Sequence, residues 1–415
     1  MTNLYEEIKV CRFCGSHELT NLWSFGKTPL ANAYVAEKDL ENPEFFVPLD
    51  VCRCSRCNLV QLRQTVSPEV LFSNYLYVSS TSPSFVAHFQ NYASQVVDRF
   101  NLPANSLVVE IGSNDGILLK PFKTLGMKVL GVEPAEQIAD QATQSGTTTI
   151  NTFFDAGVAD NILKSHGAAK IIAANNVFAH MPDVVGIVSG IKKLLDRQGV
   201  FVFEVQYLKD LIEKNLFDMV YHEHLFYYHL APLVKFFESQ GMRVFDAERE
   251  PVHGGSIRVF VGLADGPYQA TARLNALLNA EIEAGLNSDK PYLECWGRIM
   301  ANKSEIKKIL QDLKSQGKSI VGYGAPAKAT TLLYTFGIGA ETLDYIIDDD
   351  KKFKQGRYMP GSHIPIVPPE MLYENKPDYC LTLAWNFAEP IMKKHALFTK
   401  RGGKFIIPVP NPQII

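Results

Sequence analysis

Short apolar blocks alternate with glycine and polar turns along most of this chain, in the strand–helix rhythm of a doubly wound sheet. The sharpest block is LVVEIGSNDG, Leu107 to Gly116. Its apolar start predicts a buried strand, Gly112 and Gly116 bracket a turn, and Ile117-Leu118-Leu119 begins a helix. A second apolar run, KVLGVEP, ends in Glu133, twenty-one residues after Gly112. Strand, glycine turn, helix and an acid at the next strand end form a nucleotide-binding half.

The rhythm continues. Ala139 to Gly146 predicts a second helix, Thr149 to Phe154 an edge segment, and Lys170 to Asn175 a strand leading into Asn176-Val-Phe-Ala-His180. Ile187 to Leu195 is an amphipathic helix and Gly199 to Glu204 the next strand. An amphipathic stretch over Leu208 to Leu216 then precedes Tyr221-His222-Glu223-His224. His253-Gly-Gly-Ser-Ile-Arg258 opens a strand over Ile257 to Val261, and its paired glycines also suit a bulge. Gly266 to Lys290 is polar and poor in β-branched residues, which predicts a boundary before a long helix, Tyr292 to Gln316. A second α/β unit follows. Lys318 to Lys328, KSIVGYGAPAK, is a strand, a glycine turn and a helix start, with a further strand over Leu343 to Ile347 before Asp348.

The two glycine turns differ in charge. Acids flank the first (Glu110, Asp115), which would repel a pyrophosphate but suits a cationic sulfonium with an amino-acid tail. The first half is therefore read as a site for S-adenosylmethionine (SAM), with Glu133 accepting the ribose hydroxyls. The second turn carries no acid in sequence; its helix start and Lys328 predict a phosphate site.

Composition narrows this picture. With 415 residues the chain has room for two or three domains, and its net charge of −3 argues against a general nucleic-acid surface. No run of about 18 apolar residues offers a membrane span, so the expectation is a soluble cytoplasmic protein without membrane or nucleic-acid partners. Five of seven cysteines gather at 11, 14, 52, 54 and 57. Cys11-x-x-Cys14 and Cys54-x-x-Cys57 are two knuckles that together complete a structural Zn²⁺ site of four thiolates; disulfide pairing is the alternative. Cys52 is a spare, and the 39 residues between the knuckles must carry structure of their own.

Tyr221-His222-Glu223-His224 is the densest polar cluster, and it lacks the His-Glu-x-x-His spacing of a metal helix. Two histidines beside a carboxylate suit a general base with an orienting partner, or a solvated helix end. His180 is either a core histidine or an active-site one, and Phe72 to Ser84 is either a surface loop or a substrate-facing lid.

Taken in order, CRFCGS, CSRC, PLANAY, LVQL, YLYVSSTS, VEIGSNDGILL, GVEPA, NNVFAHM, YHEHLFY, HGGSIR and GYGAPAKATTLL resemble the SAM-dependent sugar C-3 methyltransferases over nearly the whole chain. Those enzymes act on nucleotide-linked 4-keto-6-deoxyhexoses in deoxysugar biosynthesis. The resemblance implies an α/β fold class with three parts. Residues 1–70 would be a zinc-binding module and 71–265 a Rossmann-like class I methyltransferase domain. Residues 266–415 would be a C-terminal Rossmann-like nucleotide-sugar domain, with connecting helices over 266–316. It also implies roles. Glu110, Gly112, Asn114, Asp115, Gly116, Glu133 and Pro134 would hold SAM, with Asn176 at its rim. His224, Tyr221, Glu223, His180 and Tyr75 would be catalytic. Tyr77, Ser79, His253, Arg258, Gly322, Gly324, Lys328, Asp348, Trp385 and Asn386 would bind the nucleotide diphosphate sugar. A monomer is compatible with this organisation.

The chemistry can be reasoned separately. A C-4 ketone acidifies the C-3 proton by delocalising the carbanion as an enolate. His224 is expected to remove that proton with Glu223 orienting or supporting it, while Tyr221 and His180 or Tyr75 donate to the enolate oxygen. Two other classes stay open on residues alone. One is a nucleotide-sugar oxidoreductase using NAD at Gly322-Tyr-Gly324; the other is a non-catalytic zinc- and SAM-binding scaffold.

Overall fold

In the computed structural model, which describes residues 4–72 and 83–415, Leu107–Ile111 is buried at every position. That is the signature of a strand covered on both faces. It lies within a seven-stranded sheet ordered Met242–Glu250, Ser256–Leu263, Leu195–Gln206, Ala169–Asn175, Leu107–Ile111, Lys128–Val132, Thr149–Ile150. Ser256–Leu263 runs antiparallel to both neighbours and the other adjacent pairs are parallel. Alternate side chains feed two cores, as the strand period requires. Val108, Ile171 and Val202 meet Tyr92, Val96 and Phe122 on one face, whereas Val109, Ile172 and Phe203 meet Ile162, Ile191 and Leu233 on the other. Sequence order reverses between Leu107–Ile111 and Ala169–Asn175, so a crevice opens at their carboxyl ends.

The segment between the cysteine knuckles does carry its own structure. Leu19–Pro29 pairs with Phe46–Cys54, which pairs with Val60–Leu62. The fourth strand of this antiparallel sheet is Phe226–Tyr227, contributed from the far side of the chain just after His224. A further strand pair joins Val35–Ala36 to Arg357–Tyr358. In the C-terminal third, six strands are ordered Ile366–Val367, Ile346–Ile347, Ile320–Tyr323, Tyr379–Thr382, Lys404–Ile407, Gln413–Ile414, with only the last pair antiparallel. No helix among the described residues is long and apolar enough to cross a membrane.

Two expectations are corrected. The helix beginning at Leu208 ends at Glu213 rather than Leu216, because Asn215 takes the left-handed conformation (φ 58). The polar stretch expected as a boundary contains a helix, Ala272–Glu283, started by Thr271, whose Oγ1 accepts a hydrogen bond from the Leu274 amide at 3.2 Å.

That helix buries Glu281, whose carboxylate caps a different helix, Leu230–Ser239. Leu230 N donates to Oε1 at 2.7 Å, Ala231 N to Oε2 at 3.0 Å and the Tyr207 hydroxyl to Oε1 at 2.9 Å. Burial outweighs these bonds and pushes the Glu281 carboxyl up from 4.5 to about 7. The folded state thus keeps a proton that the unfolded chain has lost. This contribution is complete below about pH 4.5 and disappears as the pH rises through about 7. Glu281→Gln, which cannot titrate, should gain on the wild type by about 3 kcal/mol between pH 4.5 and 8. Denaturant midpoints of both proteins across that range measure the change; parallel curves would refute it.

Candidate functional site

The turn after Leu107–Ile111 is closed by contact. A Cβ on Gly112 (φ +66) would lie 2.6 Å from Val177 Cγ1, so only glycine lets the turn pack on the loop after Asn175. Glu133 Oε2 accepts from the Asn114 amide at 2.9 Å and Oε1 from the Ala135 amide at 3.0 Å, which ties the turn to the neighbouring strand end. Pro134 contributes its carbonyl to Asn151 Nδ2 at 3.0 Å, and Asn176 (φ 57) donates its amide to Glu204 O at 2.7 Å.

Around this turn buried polar atoms lack partners: Glu110 Oε2, Ser113 Oγ, Asp115 Oδ1 and both amide atoms of Asn175. Glu110, Asp115 and Glu133 are all buried. Burial pushes the Glu110 carboxyl well above the usual carboxylate range; the neighbouring Asn175 amide pulls it back, and the charges of Asp115 and Glu133 push it further up. Three buried acids, two of them (Glu110 and Asp115) with an unpaired oxygen, suit a ligand that brings positive charge and hydroxyl donors better than a pyrophosphate. SAM fits such a set: Glu133 at the strand end would take its hydroxyls, and Glu110 and Asp115 would face its cationic end. Sequence reasoning missed Asn175 and Gly131, where a Cβ would come 2.4 Å from Ser113 Oγ. A glycine inside a strand was the available signal.

The histidines gather beyond the crevice. His224 Nδ1–H donates to the Met219 carbonyl at 2.7 Å, which leaves Nε2 as the unprotonated nitrogen. Its ring centroid is 4.1 Å from that of Tyr221 and 5.0 Å from that of His180. His180 stacks on Phe72 at 5.4 Å, and its own Nε2 is buried without a partner. Burial lowers His224 to about 4 and holds His180 well below the usual range, so both rings are neutral near pH 7. Glu223 does not supply the orienting bond expected of it. Met219 does, and Glu223 Oε1 accepts from Asn32 Nδ2 of the N-terminal segment at 2.6 Å. Tyr75, Tyr77 and Ser79 lie outside the described residues.

His253 adopts a left-handed conformation (φ 54), and its ring centroid is 5.0 Å from that of Phe85. Arg258 does not face this space. It is buried in the sheet, donating to Glu204 Oε2 from Nε at 3.1 Å and Nη2 at 3.0 Å, and to Glu250 Oε1 at 3.0 Å, with Tyr92 beneath it at 4.2 Å. A buried guanidinium needs such partners, and these leave it a strut rather than a ligand contact.

The second glycine turn also departs from expectation. Gly324 (φ +87) fits against Ala384, 2.5 Å from where its Cβ would be, and Gly322 against Ile346 at 2.8 Å. An acid does crowd the turn: Asp348, from the next strand end, accepts the Ala325 amide at 2.7 Å. Lys328 is buried rather than presented to a phosphate. Its Nζ is 3.3 Å from Asp218 Oδ2 and 3.6 Å from the Trp385 ring centroid, and burial lowers it to about 8. Trp385 Nε1 donates to the same Asp218 oxygen at 2.5 Å, while Asn386 Oδ1 is buried and unpaired. Asp218 adjoins Met219, so this ion pair sits one residue from the carbonyl that orients His224. The chain sequence alone gave no signal for either residue.

Cys11, Cys14, Cys54 and Cys57 bring their four Sγ atoms within 4.8 Å of one another, with Cys11–Cys57 and Cys14–Cys54 at 3.6 Å. Thiolates about 2.3 Å from one Zn²⁺ stand about 3.8 Å apart, so the set fits a tetrahedral ion and is too open for disulfides. Cys52 is buried outside the set. Four thiolates leave no open coordination position, which makes the zinc structural.

Three family models match the chain in succession: "Putative zinc binding domain" over residues 11–72, "Methyltransferase domain" over 85–246 and "C-methyltransferase C-terminal domain" over 251–410. C-methyltransferase NovU of Streptomyces niveus is 38% identical over 415 residues, spanning 100% of this chain and 99% of that protein. Among solved structures, magnesium protoporphyrin IX methyltransferase ChlM from Synechocystis PCC 6803 with bound SAM is 16% identical. It covers 43% of this chain and 80% of that one, with a TM-score of 0.32. The CcbJ methyltransferase from Streptomyces caelestis is 14% identical over 42% of this chain and 89% of that one, at 0.34. Both likenesses are distant and confined to less than half of this chain.

Proposed function

The chain belongs to the C-methyltransferase family, and from that premise we propose that it methylates C-3 of a nucleotide-linked 4-keto-6-deoxyhexose through an enolate. The observation that carries this reading is His224, neutral and held by the Met219 carbonyl so that Nε2 can accept a proton. Carbon methylation needs a carbon nucleophile, and an ordinary sugar C–H is too weak an acid to provide one. A ketone beside that carbon removes the difficulty. His224 takes the C-3 proton, and the negative charge moves to the C-4 oxygen. Tyr221 and His180 stand beside His224 to donate to that oxygen, with Tyr75 as the further donor. Glu223 is buried and bonded to Asn32 instead of to His224, so its part is to hold the N-terminal segment against the loop that carries the base. Bound SAM supplies an electrophilic methyl group. The nucleotide end of the substrate is assigned to the side of the crevice where Trp385 approaches the His253-Gly254 turn, 3.9 Å from where a Gly254 Cβ would be.

The test is mass spectrometry of the products formed from SAM and a panel of nucleotide-linked 4-keto-6-deoxysugars carrying deuterium at C-3. Gain of one methyl with loss of that deuterium on at least one sugar is expected. The ketone acidifies C-5 as well, so methyl gain with C-3 deuterium retained and a C-5 label lost would move the reaction to the other side of the carbonyl. Methyl gain with both labels retained would remove the enolate altogether.

A further inference from the structure

Gln206 is the last residue of Leu195–Gln206, the strand next to Ala169–Asn175, and its side-chain Nε2 and Oε1 are both buried without a hydrogen-bond partner. Leaving an amide unsatisfied on both atoms costs free energy, so such a group needs a reason, and a ligand that completes it is one. The position is telling. Two residues earlier on the same face, Glu204 receives His88 at 2.9 Å and thereby docks the helix Pro83–Phe100, whose Phe85 meets His253. On one side the strand end is bonded to the loop that leads to His180, through Asn176 N to Glu204 O at 2.7 Å. On the other it is bonded to the glycine turn after His253, through Tyr207 N to Gly255 O at 3.1 Å, and Gln206 itself is in register with Ser256. The strand end that carries Gln206 thus lies between the His180 loop and the His253 turn, and its side chain leaves on the face of Glu204.

The geometry points to Gln206 as a specificity-determining residue that binds a ring hydroxyl or carbonyl of the acceptor, an inference that rests on the sugar reading above. A carboxamide offers a donor and an acceptor without charge, which matches the vicinal polar groups of a neutral sugar better than a phosphate. The carboxylates of the first glycine turn belong to Leu107–Ile111 and the end of Lys128–Val132, two and three strands away, and S-adenosylhomocysteine binding by the variant separates a sugar contact from a cofactor contact.

Gln206→Met keeps the volume and removes both hydrogen-bonding atoms. On the full-length protein it should lower kcat/KM for the keto-sugar by about 10- to 100-fold and leave the dissociation constant of S-adenosylhomocysteine within about twofold. The ligand-free variant should melt at the same temperature as wild type or higher, because a buried unpaired amide has been replaced by an apolar side chain. A merely structural glutamine predicts the opposite shift, and a lower melting temperature overturns the assignment. So does an unchanged kcat/KM, or weakened S-adenosylhomocysteine binding. Gln206→Glu, which keeps the acceptor and loses the donor, should show an intermediate or larger defect on the same substrate; wild-type kinetics for it also count against the assignment. The wild type is assayed in parallel. If it methylates no keto-sugar, the sugar reading fails; if it does and Gln206→Met matches it, only the role of Gln206 fails.

Discussion

His224→Asn is expected to lower methyl transfer by about 10²- to 10⁴-fold while S-adenosylhomocysteine binds as to wild type. The asparagine cannot take up a proton, and the cofactor cluster around Gly112 and Glu133 is built without His224. The step can be isolated. With SAM absent, wild-type protein should exchange the C-3 proton of the keto-sugar for solvent deuterium, and the variant should not. Exchange at the wild-type rate in His224→Asn would remove the residue from the base role. The pH dependence follows from the same environment. Because burial lowers His224 to about 4, the neutral, proton-accepting form persists across neutral pH. Activity assigned to this group should be lost only on the acid side, as the pH falls through about 4.

Removing zinc is expected to cost activity as completely, by a different route. A structural zinc contributes folding free energy directly, about 10–16 kcal/mol in isolated zinc-finger peptides. Here the ion would tie Cys11 and Cys14 to Cys54 and Cys57 at the head of the four-stranded sheet whose edge is Phe226–Tyr227. Leu62 N also donates to Leu225 O at 2.9 Å, one residue beyond His224. Loss of the ion, or Cys54→Ser, should therefore loosen the strand that follows the base and the Asn32–Glu223 contact, whereas S-adenosylhomocysteine binding persists on the central sheet. Metal analysis should give one zinc per chain, and chelation should abolish methyl transfer before cofactor binding. Full activity in metal-free protein would contradict this.

The cofactor half was legible because its determinants are local. One apolar strand, Gly112, Gly116 and an acid at the next strand end lie within thirty residues, and the cysteine knuckles declare themselves by spacing. What sequence could not supply was long-range pairing. Glu223 looked like the partner of His224 because it is adjacent, yet adjacent residues point in different directions and Asn32 claims it. Lys328 looked like a phosphate ligand because a glycine turn precedes it, yet Asp218, 110 residues away, buries it as an ion pair. Arg258 looked available until Glu204 and Glu250 enclosed it. The NAD alternative drew on the same second turn, and the family assignment removes both it and the non-catalytic scaffold.

The strand Phe226–Tyr227 has a consequence for recombination. Family boundaries invite the exchange of an N-terminal piece ending near residue 72 between relatives, in the hope of altering one property at a time. In this fold such a chimera would join one parent's Val60–Leu62 to the other parent's Phe226–Tyr227, and one parent's Val35–Ala36 to the other's Arg357–Tyr358. The heritable unit is therefore discontinuous. A graft that preserves activity must carry 221–229 and the 357–358 segment along with the first 72 residues, so the natural crossover points in this chain are fewer than its linear domain map suggests.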